Sequence, residues 1–209
     1  MKKGLFNVVF ILDRSGSMES IWSDAKGAYA QFVTDQKAVP GDAFLTLVLF
    51  DDRFQIVQDM VPIQQAYGLE TGDGPRGSTA LIDACCRTID HIGRKLEALP
   101  EDERPEKTIV AIMTDGMENA SREFTADQLK DRIERQRDTY GWEFLFLGAN
   151  QDSFATAGAL GVQQAFVANF VPTGGGICKG IDSVSRSVSS LRKGGTGHLS
   201  DDSSKGWKQ

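Results

Sequence analysis

The sequence predicts an α/β domain built on an open, mostly parallel sheet with one antiparallel strand at an edge. Three observations predict it. Short apolar, β-branched segments alternate with longer segments of helical period. One pair of strand-like segments is joined by only three residues. The chain has 209 residues, 40% apolar and 25% charged, which is the size and make-up of a single globular unit.

The elements follow in order. Leu5 to Leu12 is almost continuously apolar, as a strand buried on both faces should be. Ile21 to Ala38 reads as a helix, with Ile21, Ala25, Ala28, Phe32 and Val33 on one face, closed by the turn Pro40-Gly41-Asp42. Phe44 to Phe50 is the next strand. Asp51-Asp52-Arg53 cannot hold a crossover helix, so Phe54 to Val61 must return antiparallel. Gln64 to Ser78 is polar and Gly-rich and reads as a loop. Thr79 to Leu99 is a helix that buries Leu81, Ile82, Cys85, Ile89, Ile92 and Leu96.

Thr108 to Met113 is a second buried strand, and Thr125-Ala126-Asp127-Gln128 opens a helix with a near capping pattern. Trp142 to Leu147 is another strand. Asp152 can cap a short helix over Ser153 to Leu160, Gly161 to Phe166 can form a last short strand, and Ile177 to Leu191 reads as the final helix. Gly174-Gly175-Gly176 reads as a turn, because it lacks the Lys-Ser/Thr ending of a phosphate loop. The domain therefore spans residues 1–192, and 193–209, rich in Gly, Ser and charge, is expected to be a flexible tail that includes His198 and Trp207.

Composition narrows the function. The net charge of −6 argues against a nucleic-acid partner, which a Lys/Arg excess would meet. No apolar run reaches the roughly 18 residues of a membrane span. The start resembles a signal peptide only superficially: Asn7 interrupts the apolar run, and no small-residue cleavage site follows. The three cysteines, Cys85, Cys86 and Cys178, are odd in number and lack metal spacing, so a reducing, cytoplasmic location is expected.

Three loops carry oxygen-bearing side chains at strand ends or helix starts: Asp13-Arg14-Ser15-Gly16-Ser17-Met18, Gly77-Ser78-Thr79, and Thr114-Asp115-Gly116. In open parallel sheets ligands bind beyond the carboxyl ends of the strands, where these loops can meet. Asp13, Ser15 and Ser17 alone fit equally well a turn that caps the next helix. Together with Thr79 and Asp115 they form a hard, all-oxygen set suited to Mg²⁺ or Mn²⁺, with Gly16 allowing a tight turn. Arg14, Met18, Ser78, Glu118, Asn119 and Asn150 are candidates for a surrounding rim. His91 and Cys85-Cys86 read as surface and helix-packing residues, Trp22 and Trp142 as core.

At these positions the chain closely resembles the von Willebrand factor A family. The family's metal-ion-dependent adhesion site has the form Asp-x-Ser-x-Ser, then a distant Thr and a distant Asp, here Asp13, Ser15, Ser17, Thr79 and Asp115. The resemblance runs over roughly residues 5 to 191. It implies a Rossmann-like fold with helices on both faces of the sheet. It implies that Ser15 and Ser17 bind the ion directly, Thr79 and Asp115 directly or through water, and that Asp13 acts through water and orients the serines. It implies further a protein partner whose Glu or Asp carboxylate fills the open metal position, without catalysis, in a bacterial or phage stand-alone protein. Two alternatives stay open: a Mg²⁺-dependent phosphoryl-transfer enzyme using Asp13, and a structural subunit with a vestigial metal site.

Overall fold

The first strand, β1 (Lys2–Asp13), lies inside the sheet, and its sequence explains why. Val8, Val9, Phe10, Ile11 and Leu12 are fully buried, each contributing roughly 1.5–3 kcal/mol over an exposed position. Only an interior strand with helices on both faces can bury every successive side chain. The computed structural model describes residues 1–69, 74–149 and 153–199. Its remaining strands are β2 (Asp42–Phe50), β3 (Phe54–Pro62), β4 (Pro105–Thr114), β5 (Glu143–Gly148) and β6 (Val167–Asn169). Its helices are α1 (Trp22–Ala38), α2 (Leu81–Ala98), α3 (Ala126–Tyr140), α4 (Ser153–Ala159) and α5 (Gly174–Arg192).

The six strands stand in the order β3-β2-β1-β4-β5-β6. All neighbours are parallel except β2 and β3, which form the expected antiparallel edge hairpin. Alternation along β1 divides the core. Val8, Phe10 and Leu12 face α1 and α5, where Phe10 meets Tyr29 and Phe32 edge-on at 5.4 and 5.0 Å. Val9 and Ile11 face α2 and α3, beside Ile89, Ile92, Leu129 and Ile133. In α2, Ile82 and Leu96 are only half-buried, and Asp83 and Thr88 occupy buried positions instead. The order of strands reverses at β1, so the ends of β1 and β4 border the switch-point crevice.

Two elements differ from expectation. The last strand is Val167–Asn169, not Gly161 to Phe166: residues Gln164–Phe166 form a 3-10 turn, and it is Val167 and Ala168 that pair with Phe146 and Leu147. The three glycines 174–176 are the first turn of α5 rather than a free turn, because the Thr173 hydroxyl accepts from the Gly176 N–H at 3.2 Å and caps the helix. The capping box at Thr125 and Gln128 is present. Residues 193–199, read as the start of a tail, return to the body: Leu199 is buried in the core and its N–H reaches the Ala165 carbonyl at 3.3 Å. His198 stacks on Phe166. Asn150, Asp152 as a helix cap, and the stretch from 200 with Trp207 lie outside the described residues. Among the described residues no helix is long and apolar enough to cross a membrane.

Candidate metal centre

Asp13 is the last residue of β1 and is fully buried. One carboxylate oxygen accepts from the Ser15 N–H at 2.6 Å, the other from the Thr114 hydroxyl at 2.6 Å. It therefore ties the end of β1 to the end of β4 and sets the turn that follows. That turn aims its hydroxyls inward: Ser15 Oγ and Ser17 Oγ are 3.1 Å apart, and Ser17 Oγ donates to Asp115 at 2.6 Å. Neither Ser15 nor Ile21, the residues preceding the 3-10 turn and α1, makes a side-chain capping bond. The helix-capping alternative is thus not what these side chains do.

Thr79 closes the group. A Cβ added to Gly116 would lie 2.7 Å from Thr79 Oγ1, 3.4 Å from Ser17 Oγ and 3.6 Å from Ser15 Oγ. Three hydroxyls from two loops therefore surround one point against the third loop, and only glycine leaves that point open. Gly16 has a different role from the expected tight turn: its backbone is ordinary, and it permits close approach to the Gly77 carbonyl, which its own N–H meets at 3.1 Å.

The residues expected to bind are thus together: Asp13, Ser15, Ser17, Thr79 and Asp115. Their electrostatics suit a cation. Burial pushes the Asp13 carboxyl up to about 6, against the hydrogen bonds from Thr114 and Ser15 that pull it down. Burial also raises Asp115, against the Ser17 hydrogen bond. Two desolvated carboxylates beside three hydroxyls form a hard oxygen set, and a divalent ion would relieve the cost of keeping both ionised. Among the described residues no three His, Cys, Asp or Glu side chains gather, so this donor set is hydroxyl-rich rather than thiolate or imidazole.

The rim differs from the sequence expectation at two positions. Arg14 is buried and runs to Asp51 (3.1 Å) and Gln55 (3.0 Å), and Met18 is buried in the core. Neither can meet a partner. Glu118 is occupied with backbone N–H groups: it accepts from Ile82 at 2.9 Å and from Ser121 at 2.8 Å. Asn119 is exposed, and its side chain accepts the Thr79 N–H at 2.9 Å while its own N–H reaches the Thr79 carbonyl at 3.0 Å. Asn119 is therefore a positioning residue for Thr79. Ser78 and Met117 are exposed beside the hydroxyl group.

Two framing residues carry no sequence signal. Asp51 is fully buried and receives Arg14, Arg76 (2.9 Å) and the Arg53 N–H (2.7 Å), while its carbonyl accepts from Ala80 at 3.0 Å. Asp83, in the first turn of α2, accepts from the N–H groups of Arg122 and Phe124 at 2.8 and 3.0 Å. The three loops are thereby sewn to one another and to the β2-β3 hairpin.

No family model matches this chain, and no curated protein does. Solved structures do match. The ArnB paralog VWA2 from Sulfolobus acidocaldarius superposes with a TM-score of 0.53 at 19% identity, over 88% of this chain and 45% of that one. The von Willebrand factor domain of the type V pili tip protein Mfa5 from Porphyromonas gingivalis gives 0.60 at 11% identity, over 88% of this chain and 94% of that one. A von Willebrand factor type A protein from Catenulispora acidiphila gives 0.57 at 16%, over 88% and 42%. The fold of this chain is the von Willebrand factor A fold. Against the Sulfolobus and Catenulispora proteins, the chain spans just under half the length of its match.

Proposed function

We propose that this chain is a metal-dependent protein-binding module of the von Willebrand factor A family, in which Ser15, Ser17, Thr79, Asp115 and Asp13 form an intact metal-ion-dependent adhesion site. The observation that carries this reading is the convergence of three hydroxyls and Asp115 around the open face of Gly116. Mg²⁺ or Mn²⁺ held there supplies Lewis acidity for an external carboxylate. Ser15, Ser17 and Thr79 present neutral oxygens, so two carboxylates do not over-neutralise a divalent charge. A Glu or Asp of a protein partner then fits as the last oxygen donor.

The phosphoryl-transfer alternative gains no support from the geometry. Its nucleophile would be Asp13, which is fully buried with both oxygens engaged. All three cysteines are free thiols, which supports a reducing, cytoplasmic setting for the assembly. The test is capture of partners by the immobilised protein in Mg²⁺. The reading predicts that captured proteins elute with EDTA and are not retained by Ser17→Ala. Partners held equally well in EDTA would contradict it.

A further inference from the structure

We propose that Arg76 is a second reading point beside the metal centre, so that the preferred partner segment is an acidic peptide with two carboxylates rather than one. The proposal rests on the carboxylate-capture reading above and specifies its partner.

Residues 76 and 77 run alongside the first metal loop: the Arg76 N–H meets the Arg14 carbonyl at 2.9 Å, and the Gly77 carbonyl takes the Gly16 N–H at 3.1 Å. The Arg76 side chain is 47% exposed, yet its head is not adrift. Its Nε donates to the fully buried Asp51 at 2.9 Å. Asp51 follows Phe50, and Phe50 pairs with Asp13 across β2 and β1. The guanidinium is therefore held about one to two strand spacings, roughly 5–10 Å, from the metal loops. Among the described residues its terminal nitrogens donate to no side chain or carbonyl. A guanidinium anchored through Nε presents those remaining N–H groups in a fixed direction, the arrangement that suits a carboxylate.

The local charge agrees. The chain is −6 overall, but around the β2-β3 turn Arg14 and Asp51 form a buried pair, and the exposed charges are Arg53 and Arg76 against Asp52, two cations to one anion. Arg53 is exposed on the same turn. Across the loops the exposed Met117, 74% accessible, and Asn119 offer no charge. The hairpin side of the rim thus carries a net positive charge, even with the Asp52 carboxylate lying beside Gly77. A peptide whose first carboxylate enters the metal centre gains from a second about two or three extended residues away, over Arg76.

Two blocked glycine-rich peptides test this, one with a single glutamate and one with a second glutamate two positions on. Each is titrated into the Mg²⁺-loaded protein and followed by NMR. Wild type should bind the diacid about fivefold more tightly. In Arg76→Gln the ratio should fall to about one, and in Arg76→Lys, which keeps the charge without the planar fork, to an intermediate value. The ratio is taken within each variant, so altered metal affinity or stability cancels. A wild-type ratio of one, or a fivefold ratio that survives both substitutions, would overturn the proposal while leaving carboxylate capture intact. Failure of both peptides to bind wild type in Mg²⁺ would overturn both.

Discussion

The two faces of the sheet hold their helices by opposite means. On the α2 face, carboxylates clamp the loops at the edge that carries the candidate site: Asp83 and Glu118 gather the backbone N–H groups of residues 120–124 and of the first turn of α2. On the α5 face the polar seam lies at the far edge, where α1 ends. There Gln36 donates to the Ser185 carbonyl at 3.0 Å and to Ser189 at 2.9 Å, Ser185 donates to Asp35 at 2.9 Å, and the buried Arg192 donates to the carbonyls of Gln36 (2.6 Å) and Gly41 (3.1 Å). One seam fixes the geometry of the candidate site, and the other fixes a helix far from it. Substitutions in the first should therefore alter stability and metal affinity together, and those in the second stability alone.

The largest effect is expected at Asp51, which joins the hairpin to two loops of the candidate site. Asp51→Ala removes the carboxylate that pairs with the buried Arg14 guanidinium and should cost about 3–5 kcal/mol in chemical denaturation, with a weakened response to Mg²⁺. Asn119→Ala removes the side-chain acceptor of the Thr79 N–H, leaving only the backbone bond to the Thr79 carbonyl, and should lower Mg²⁺ affinity by roughly 10–100-fold in calorimetry, with a smaller loss of stability. Gln36→Ala, in the far seam, should cost about 1–3 kcal/mol and leave Mg²⁺ affinity at the wild-type value. A drop in affinity there would erase the distinction between the seams. The smallest change is Thr125→Ala, which removes the capping box of α3, costs about 1 kcal/mol and should leave the metal response unchanged.

Most of the fold was legible because interior strands announce themselves by unbroken apolar runs, as in Leu5 to Leu12 and Thr108 to Met113, and because the hairpin turn is too short for any other connection. The last strand was not, because Val162 and Phe166 imitate its pattern while only three residues, Val167–Asn169, pair. The start of α5 was hidden because three glycines are poor helix formers, and the Thr173 cap outweighs them. The five candidate ligands were legible as oxygen-bearing residues at strand ends and before a helix, in the order that the family resemblance implies. Their neighbours were not, because a loop sequence does not say which way a side chain turns. Arg14 belongs to the first loop of the candidate site yet pairs with Asp51, 37 positions away. Asn119 shows its role only once Thr79 lies beside it.

The central claim is that Asp13, Ser15, Ser17, Thr79 and Asp115 hold a divalent ion, and thermal unfolding with EDTA and then with increasing Mg²⁺ or Mn²⁺ tests it most directly. At ten times the dissociation constant, binding should add about 1.4 kcal/mol, a rise in Tm of roughly 3–6 °C, and Asp13→Ala should lose that rise relative to its own EDTA baseline. No rise in wild type with either ion, alone or with a glutamate peptide present to complete the coordination, would contradict the account.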